Sequence, residues 1–128
     1  MFKKTLFIVL LCSLNSFAQV FDYKNYSLFL EKYVSENGSV NYQKISTNND
    51  LDKIINQFEK NIPSIKWNKN EKLAYYINLY NIFTIKTIND NFPLKSIKDI
   101  TNVWDKKFIS IAATKYSLND IEDRKSVV

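Results

Sequence analysis

Residues 68–93, "NKNEKLAYYINLYNIFTIKTINDNFP", decide the fold. Asn68 with Glu71 three positions on is a capping-box pair, and Phe92-Pro93 supplies a stop, so the spacing predicts one long helix from Asn68 to about Asn89. Leu73, Ala74, Tyr75, Tyr76, Ile77, Leu79, Tyr80, Ile82, Phe83, Ile85 and Ile88 occupy most of its circumference. A helix that is apolar nearly all round is central, with neighbours on several sides. Two carboxamides, Asn78 and Asn81, interrupt this apolar rod and share a face with the small Ala74, which permits close approach of another backbone or a ligand. An amide buried without partners costs about 1–3 kcal/mol. Either the pair bonds to loop carbonyls and amides and fixes the helix against the C-terminal hairpin, or it lines a cleft beside Tyr80 and orients a substrate or a catalytic group.

On the N-terminal side, Tyr23, Tyr26, Phe29, Leu30, Tyr33 and Val34 recur at helical spacing, and Glu36-Asn37-Gly38 supplies a stop, with glycine at a left-handed C′ position. Val40-Asn41-Tyr42 reads as a short extended piece. Leu51, Ile54, Ile55, Phe58 and Ile62 follow the i, i+3, i+4, i+7 template of an amphipathic helix that starts near Asn49 or Asp50 and closes at Pro63. On the C-terminal side, Ser96-Ile97-Lys98-Asp99 is a second capped start. Phe108 to Ile111 and Lys115 to Leu118 read as two strands around Ala112-Ala113-Thr114, and Ser117 to Asp120 caps a last helix from near Leu118. The fold class is therefore α+β, mainly α: helices packed around a central apolar helix with one small β-hairpin.

Composition narrows the chemistry. Lys3 and Lys4, the apolar Thr5 to Leu14 and Ser16-Phe17-Ala18 form a secretory signal peptide over residues 1–18, cleaved after Ala18, so a secreted or periplasmic location is expected. The leader carries Cys12, the one cysteine, and the chain has no histidine. Residues 19–128 thus have no thiolate or imidazole and no N/S ligands of the kind zinc, copper or haem prefer, and no metal or other cofactor is expected. Without the leader, 16 basic residues face 13 acidic ones, a net of +3. Seventeen of the 18 basic residues are lysines scattered along helix faces, which describes a solvated exterior and not a nucleic-acid surface. A single glycine, where average usage of about 7% would supply about nine, disfavours phosphate-cradling loops and turn-dense all-β folds. No stable membrane insertion is expected once the leader is removed.

Four ordered stretches resemble one family. They are Gly38-Ser39-Val40-Asn41-Tyr42, then Asn70 to Asn81, then Pro93 to Ile100, then Trp104 to Phe108 continuing into Tyr116 to Glu122. Together they are similar to the domain-of-unknown-function family 547, widespread in secreted bacterial proteins. Tyr76 stands where that family usually has Trp, Asn41 where it has Asp, and Ala112-Ala113 where it has Gly-Gly. A tight turn at two alanines would cost on the order of 1–2 kcal/mol per residue, so a wider loop is expected there. The resemblance implies that family members continue past the position of Glu122 with a His, a longer helix and a Cys-rich segment, groups that a thiol-dependent hydrolase or transferase would use if the full domain is an enzyme. Asp123 to Val128 matches the in-frame translation of a common sequencing adapter. Residues 19–122 are accordingly expected to be the N-terminal portion of a single, C-terminally truncated domain, 123–128 a non-native tail, and the chain catalytically inert by itself.

The binding residues this reading selects are Asn78, Tyr80, Asn81, Trp104 and Lys107, with catalytic residues unknown. Trp104, followed by Asp105, Lys106 and Lys107, is either an aromatic and basic recognition rim or a core plug flanked by solvated lysines. The spacing of Asp99, Asp105, Asp120 and Glu122 matches no calcium loop. Two functions stay open: a portion of an enzyme domain, or a non-catalytic envelope module for binding or scaffolding. The partner is a small molecule or an envelope protein.

Overall fold

The computed structural model describes residues 19–128, and the leader expected over residues 1–18 lies outside them. Helix α1 spans Lys24–Tyr33, a short α2 Tyr42–Ile45, α3 Asp50–Lys60 and the long α4 Lys69–Asp90. A 3₁₀ turn at Ile97–Asp99 leads to an antiparallel hairpin, β1 Ile109–Ile111 with β2 Thr114–Tyr116, and then to α5 Leu118–Ser126. The architecture is α+β and mainly α. Helix α4 is its centre and packs against α2, α3 and α5, while α1 and β1 pack on α3.

Local chemistry accounts for the helix starts. Asn68 Oδ1 accepts from the Glu71 N–H at 2.9 Å and Glu71 Oε2 accepts from the Asn68 N–H at 2.7 Å. Ser117 and Asp120 close the same reciprocal box at α5, and Ser96 and Asp99 form one at the 3₁₀ turn. Each box satisfies donors that the first helical turn leaves without partners. Packing then takes over. In α3, Leu51, Ile54, Ile55 and Phe58 are buried, but the helix ends at Lys60, before Ile62, which is exposed.

Phe58 is the meeting point of three segments. Its ring stacks on Phe21 at 4.3 Å and meets Tyr26 edge-on at 5.4 Å and Tyr75 of α4 at 5.5 Å. Tyr75 is fully buried, and its Oη donates to the Phe58 carbonyl at 2.7 Å. Burial pushes the Tyr75 hydroxyl well above the usual phenol range and raises Tyr26 to about 12, so both phenols stay neutral.

Three local expectations change. Gly38, with φ +84°, does not cap α1, which ends at Tyr33. Val34 is extended and pairs with Val40 across an isolated bridge, and Gly38 turns the loop between them. Asn41 is a helix cap, not part of an extended piece: its Oδ1 accepts from the Lys44 N–H at 3.0 Å and opens α2, a helix too short to show periodicity.

The third change is at the hairpin. Ile111 pairs with Thr114, so the loop is the tight two-residue turn Ala112-Ala113 and not a wider one. Both alanines have positive φ, +49° and +63°. Burial of Ile109 and Ile111 fixes the register, because a slip by one residue would turn both side chains to solvent. The turn accepts the backbone cost that follows. Replacing Ala112 and Ala113 together by glycine is therefore expected to raise the unfolding free energy by about 1–2 kcal/mol, the relief of left-handed strain less glycine's added chain entropy. Urea titration of the pair against the parent measures this, and a lower midpoint would show that the turn is not strained.

Candidate functional site

Helix α4 presents two unlike faces. Tyr75, Leu79, Ile82 and Phe83 point into the core. Around the other side, at helical spacing, run Asn70, Leu73, Ala74, Ile77, Asn81, Thr84 and Ile88. Asn70, Ile77 and Asn81 are exposed, and the other four are half-buried. Ile77, near the middle of a helix of 22 residues, is 40% exposed. The rod is thus covered on one side and open on the other, which answers how it tolerates amides: they lie on or beside the open side.

The two asparagines differ. Asn78 is half-buried, and its Nδ2 donates to the Ala74 carbonyl of its own helix at 2.9 Å. It also neighbours Tyr23, whose buried hydroxyl makes no hydrogen bond of normal geometry. Burial raises the Tyr23 pKa and Asn78 offsets part of that rise, which places the amide near the phenol oxygen. Asn81 is exposed, so water can serve its side chain. Neither amide is a strut to the hairpin.

Tyr80 is half-buried; its carbonyl accepts from Thr84 Oγ1 at 2.8 Å, and Lys125 Nζ lies 4.5 Å from its ring centroid. Trp104 is half-buried and packs against the core, and its carbonyl accepts from the Asn119 N–H at 3.0 Å. Lys107 is exposed and pairs with Asp120 Oδ2 at 3.5 Å. The carboxyl of Asp120 is held below its usual range first by the Ser117 backbone N–H, then by the Ser117 hydroxyl and Lys107. Among the described residues no hydrogen bond, ion pair or ring contact joins Trp104 or Lys107 to Asn78, Tyr80 or Asn81. The sequence-selected residues therefore form two groups: Asn78, Tyr80 and Asn81 on α4, and Trp104 with Lys107 where the hairpin meets α5.

A feature the sequence does not announce lies between α1 and α3. Asp50 Oδ2 accepts from Lys32 Nζ and from Tyr33 Oη, both at 2.7 Å, and Lys53 Nζ stands 3.7 Å from Oδ1. Lys32 first and Tyr33 second draw the Asp50 pKa from 3.8 down to about 2. A carboxylate whose folded pKa is depressed contributes stability that is present above pH 3.8 and lost as pH falls through about 2. Acid titration of unfolding should show this loss in the parent and lack most of it in Asp50→Asn. Superimposable acid limbs in the two proteins would remove Asp50 from the pH dependence.

No group of three or more Asp, Glu, His or Cys side chains gathers among the described residues as metal ligands would. No helix of the described residues is long and apolar enough to cross a membrane.

The architecture is a small helical α+β unit with a half-covered central helix. Residues 64–125 match the model of the family described as "Protein of unknown function, DUF547". The match runs from the segment before α4 through the hairpin and most of α5, and it supports the resemblance read from the sequence. No curated protein and no solved structure matches the chain.

Proposed function

We infer that this chain is a secreted or periplasmic bacterial module that binds polypeptide through the open face of α4 and does not itself catalyse a reaction. The observation that carries this is Ile77, an exposed branched aliphatic at the centre of a stripe that also offers Leu73, Ala74, Ile88 and the amide of Asn81. From Asn70 to Ile88 the stripe is roughly 27 Å long at about 1.5 Å per residue, a match for a second helix or strand and far longer than a small metabolite. The basic n-region and apolar run before Ala18 support export.

A photo-crosslinking side chain at position 81 tests this in cells. A discrete protein adduct that vanishes with Ile77→Asp is the expected result, with a probe at exposed Lys60 giving none. Equal, diffuse labelling from both positions would contradict it.

The family resemblance favours a second reading, in which this chain is the N-terminal part of an enzyme domain whose His and Cys lie in further sequence and Asn78 and Asn81 orient the catalytic groups. It predicts that a full-length relative has a hyper-reactive thiol whose Cys→Ser change abolishes labelling while leaving stability unchanged. Loss of stability without a hyper-reactive thiol would favour the module.

A further inference from the structure

The open cleft between α1 and α3, away from the α4 face, offers about 370 Å³, within the size range of small-molecule sites. Its walls are mainly apolar, with Leu28 and Phe29 from α1 and Ile54 from α3 beside the polar Asn25 and Gln57. Leu28 is 54% exposed, large for a leucine facing a neighbouring helix, so the walls stand open. The rim is charged and unbalanced, with Lys32 and Lys53 facing the single carboxylate of Asp50. One Asp50 oxygen already takes two short hydrogen bonds, from Lys32 and Tyr33, which offsets its repulsion of an incoming anion. Lys53 is held only by the 3.7 Å pairing and is 67% exposed, so its ammonium retains donors for a second acceptor. Lys44 Nζ also lies near Tyr33, 5.7 Å from the ring centroid, and adds to the positive field.

We propose that this cleft binds a free medium-chain carboxylate, with the alkyl chain along Leu28, Phe29 and Ile54 and the carboxylate on Lys53 and Lys32. An apolar trough ending in net positive charge is complementary to one anionic head on one hydrocarbon tail. A cationic amphiphile has the wrong sign, and a neutral alcohol gains only the trough. The site shares no residue with the α4 stripe, so it stands or falls separately from the function proposed above.

Isothermal titration of the full chain with sodium decanoate tests the proposal, with decanol and decylammonium as controls and circular dichroism to check folding of each variant. Saturable decanoate binding is expected, weakened about tenfold or more by Lys53→Gln and by Leu28→Gln, and unchanged by Ile77→Asp. Both replaced side chains are largely exposed, so the fold should survive. Decanol should bind weakly and decylammonium not at all. The assignment is overturned if decanoate fails to saturate, if Lys53→Gln and Leu28→Gln bind as the parent does, or if Ile77→Asp removes binding, which would move it to α4. Association with phosphatidylglycerol vesicles but not with free decanoate would likewise overturn it.

Discussion

Phe58→Ala is expected to lower the unfolding free energy by about 3–5 kcal/mol, the usual cost of deleting a fully buried aromatic ring. The ring is completely buried and touches aromatic side chains from the N-terminal segment, α1 and α4. Removing it opens a void that three separate segments would all have to move to fill. The Tyr75 to Phe58 hydrogen bond uses the backbone carbonyl, so it can persist and does not add to the loss. Small domains are typically stable by only about 5–15 kcal/mol, so the change should bring the protein near its unfolding threshold at room temperature. Urea denaturation followed by tryptophan fluorescence reads this directly, because buried Trp67 lies 5.8 Å from Tyr75 in the same cluster. A loss below about 1 kcal/mol would mean that the cluster is loosely packed.

The second large effect is a contrast within one helix. Leu79→Ala should cost about 2–5 kcal/mol and Ile77→Ala under about 1 kcal/mol, although the positions are two residues apart and lose similar volumes. Leu79 is fully buried on the covered side of α4, and Ile77 lies on the open side. Alanine's higher helix propensity offsets part of the packing lost at position 77. Chemical denaturation of the two variants gives the comparison, and equal destabilisation would show that α4 is enclosed on both sides. Hydrophobic-dye binding should fall in Ile77→Asp, because that change places a charge at the centre of the exposed apolar stripe.

What the sequence discloses here is what neighbours along the chain determine. The three capping boxes, at Asn68, Ser96 and Ser117, are each set by residues three apart and appear as the spacing implies. The apolar period of α3 and the near-continuous apolarity of α4 give the helices and identify the central one. The features that stay hidden depend on distance or on compensation. Lys32, Tyr33 and Asp50 are 17 or 18 positions apart and meet only because α1 folds back on α3. The positive φ at Ala112 and Ala113 runs against local preference, and only the burial of Ile109 and Ile111 makes it affordable. The exposure of Asn81 could not be read from α4 itself, since it depends on which faces the other segments cover. For the same reason Trp104 and Lys107, close in sequence to the fourth family stretch, are apart from the α4 amides in their contacts.

Thiol accessibility at positions 77 and 79 tests the half-covered helix most directly. In the full chain carrying Cys12→Ser, a cysteine introduced at Ile77 should react with a thiol reagent at close to the rate of an unfolded peptide. A cysteine introduced at Leu79 should react only as fast as the protein opens. Comparable protection at both positions would contradict an open α4 face and the binding role built on it.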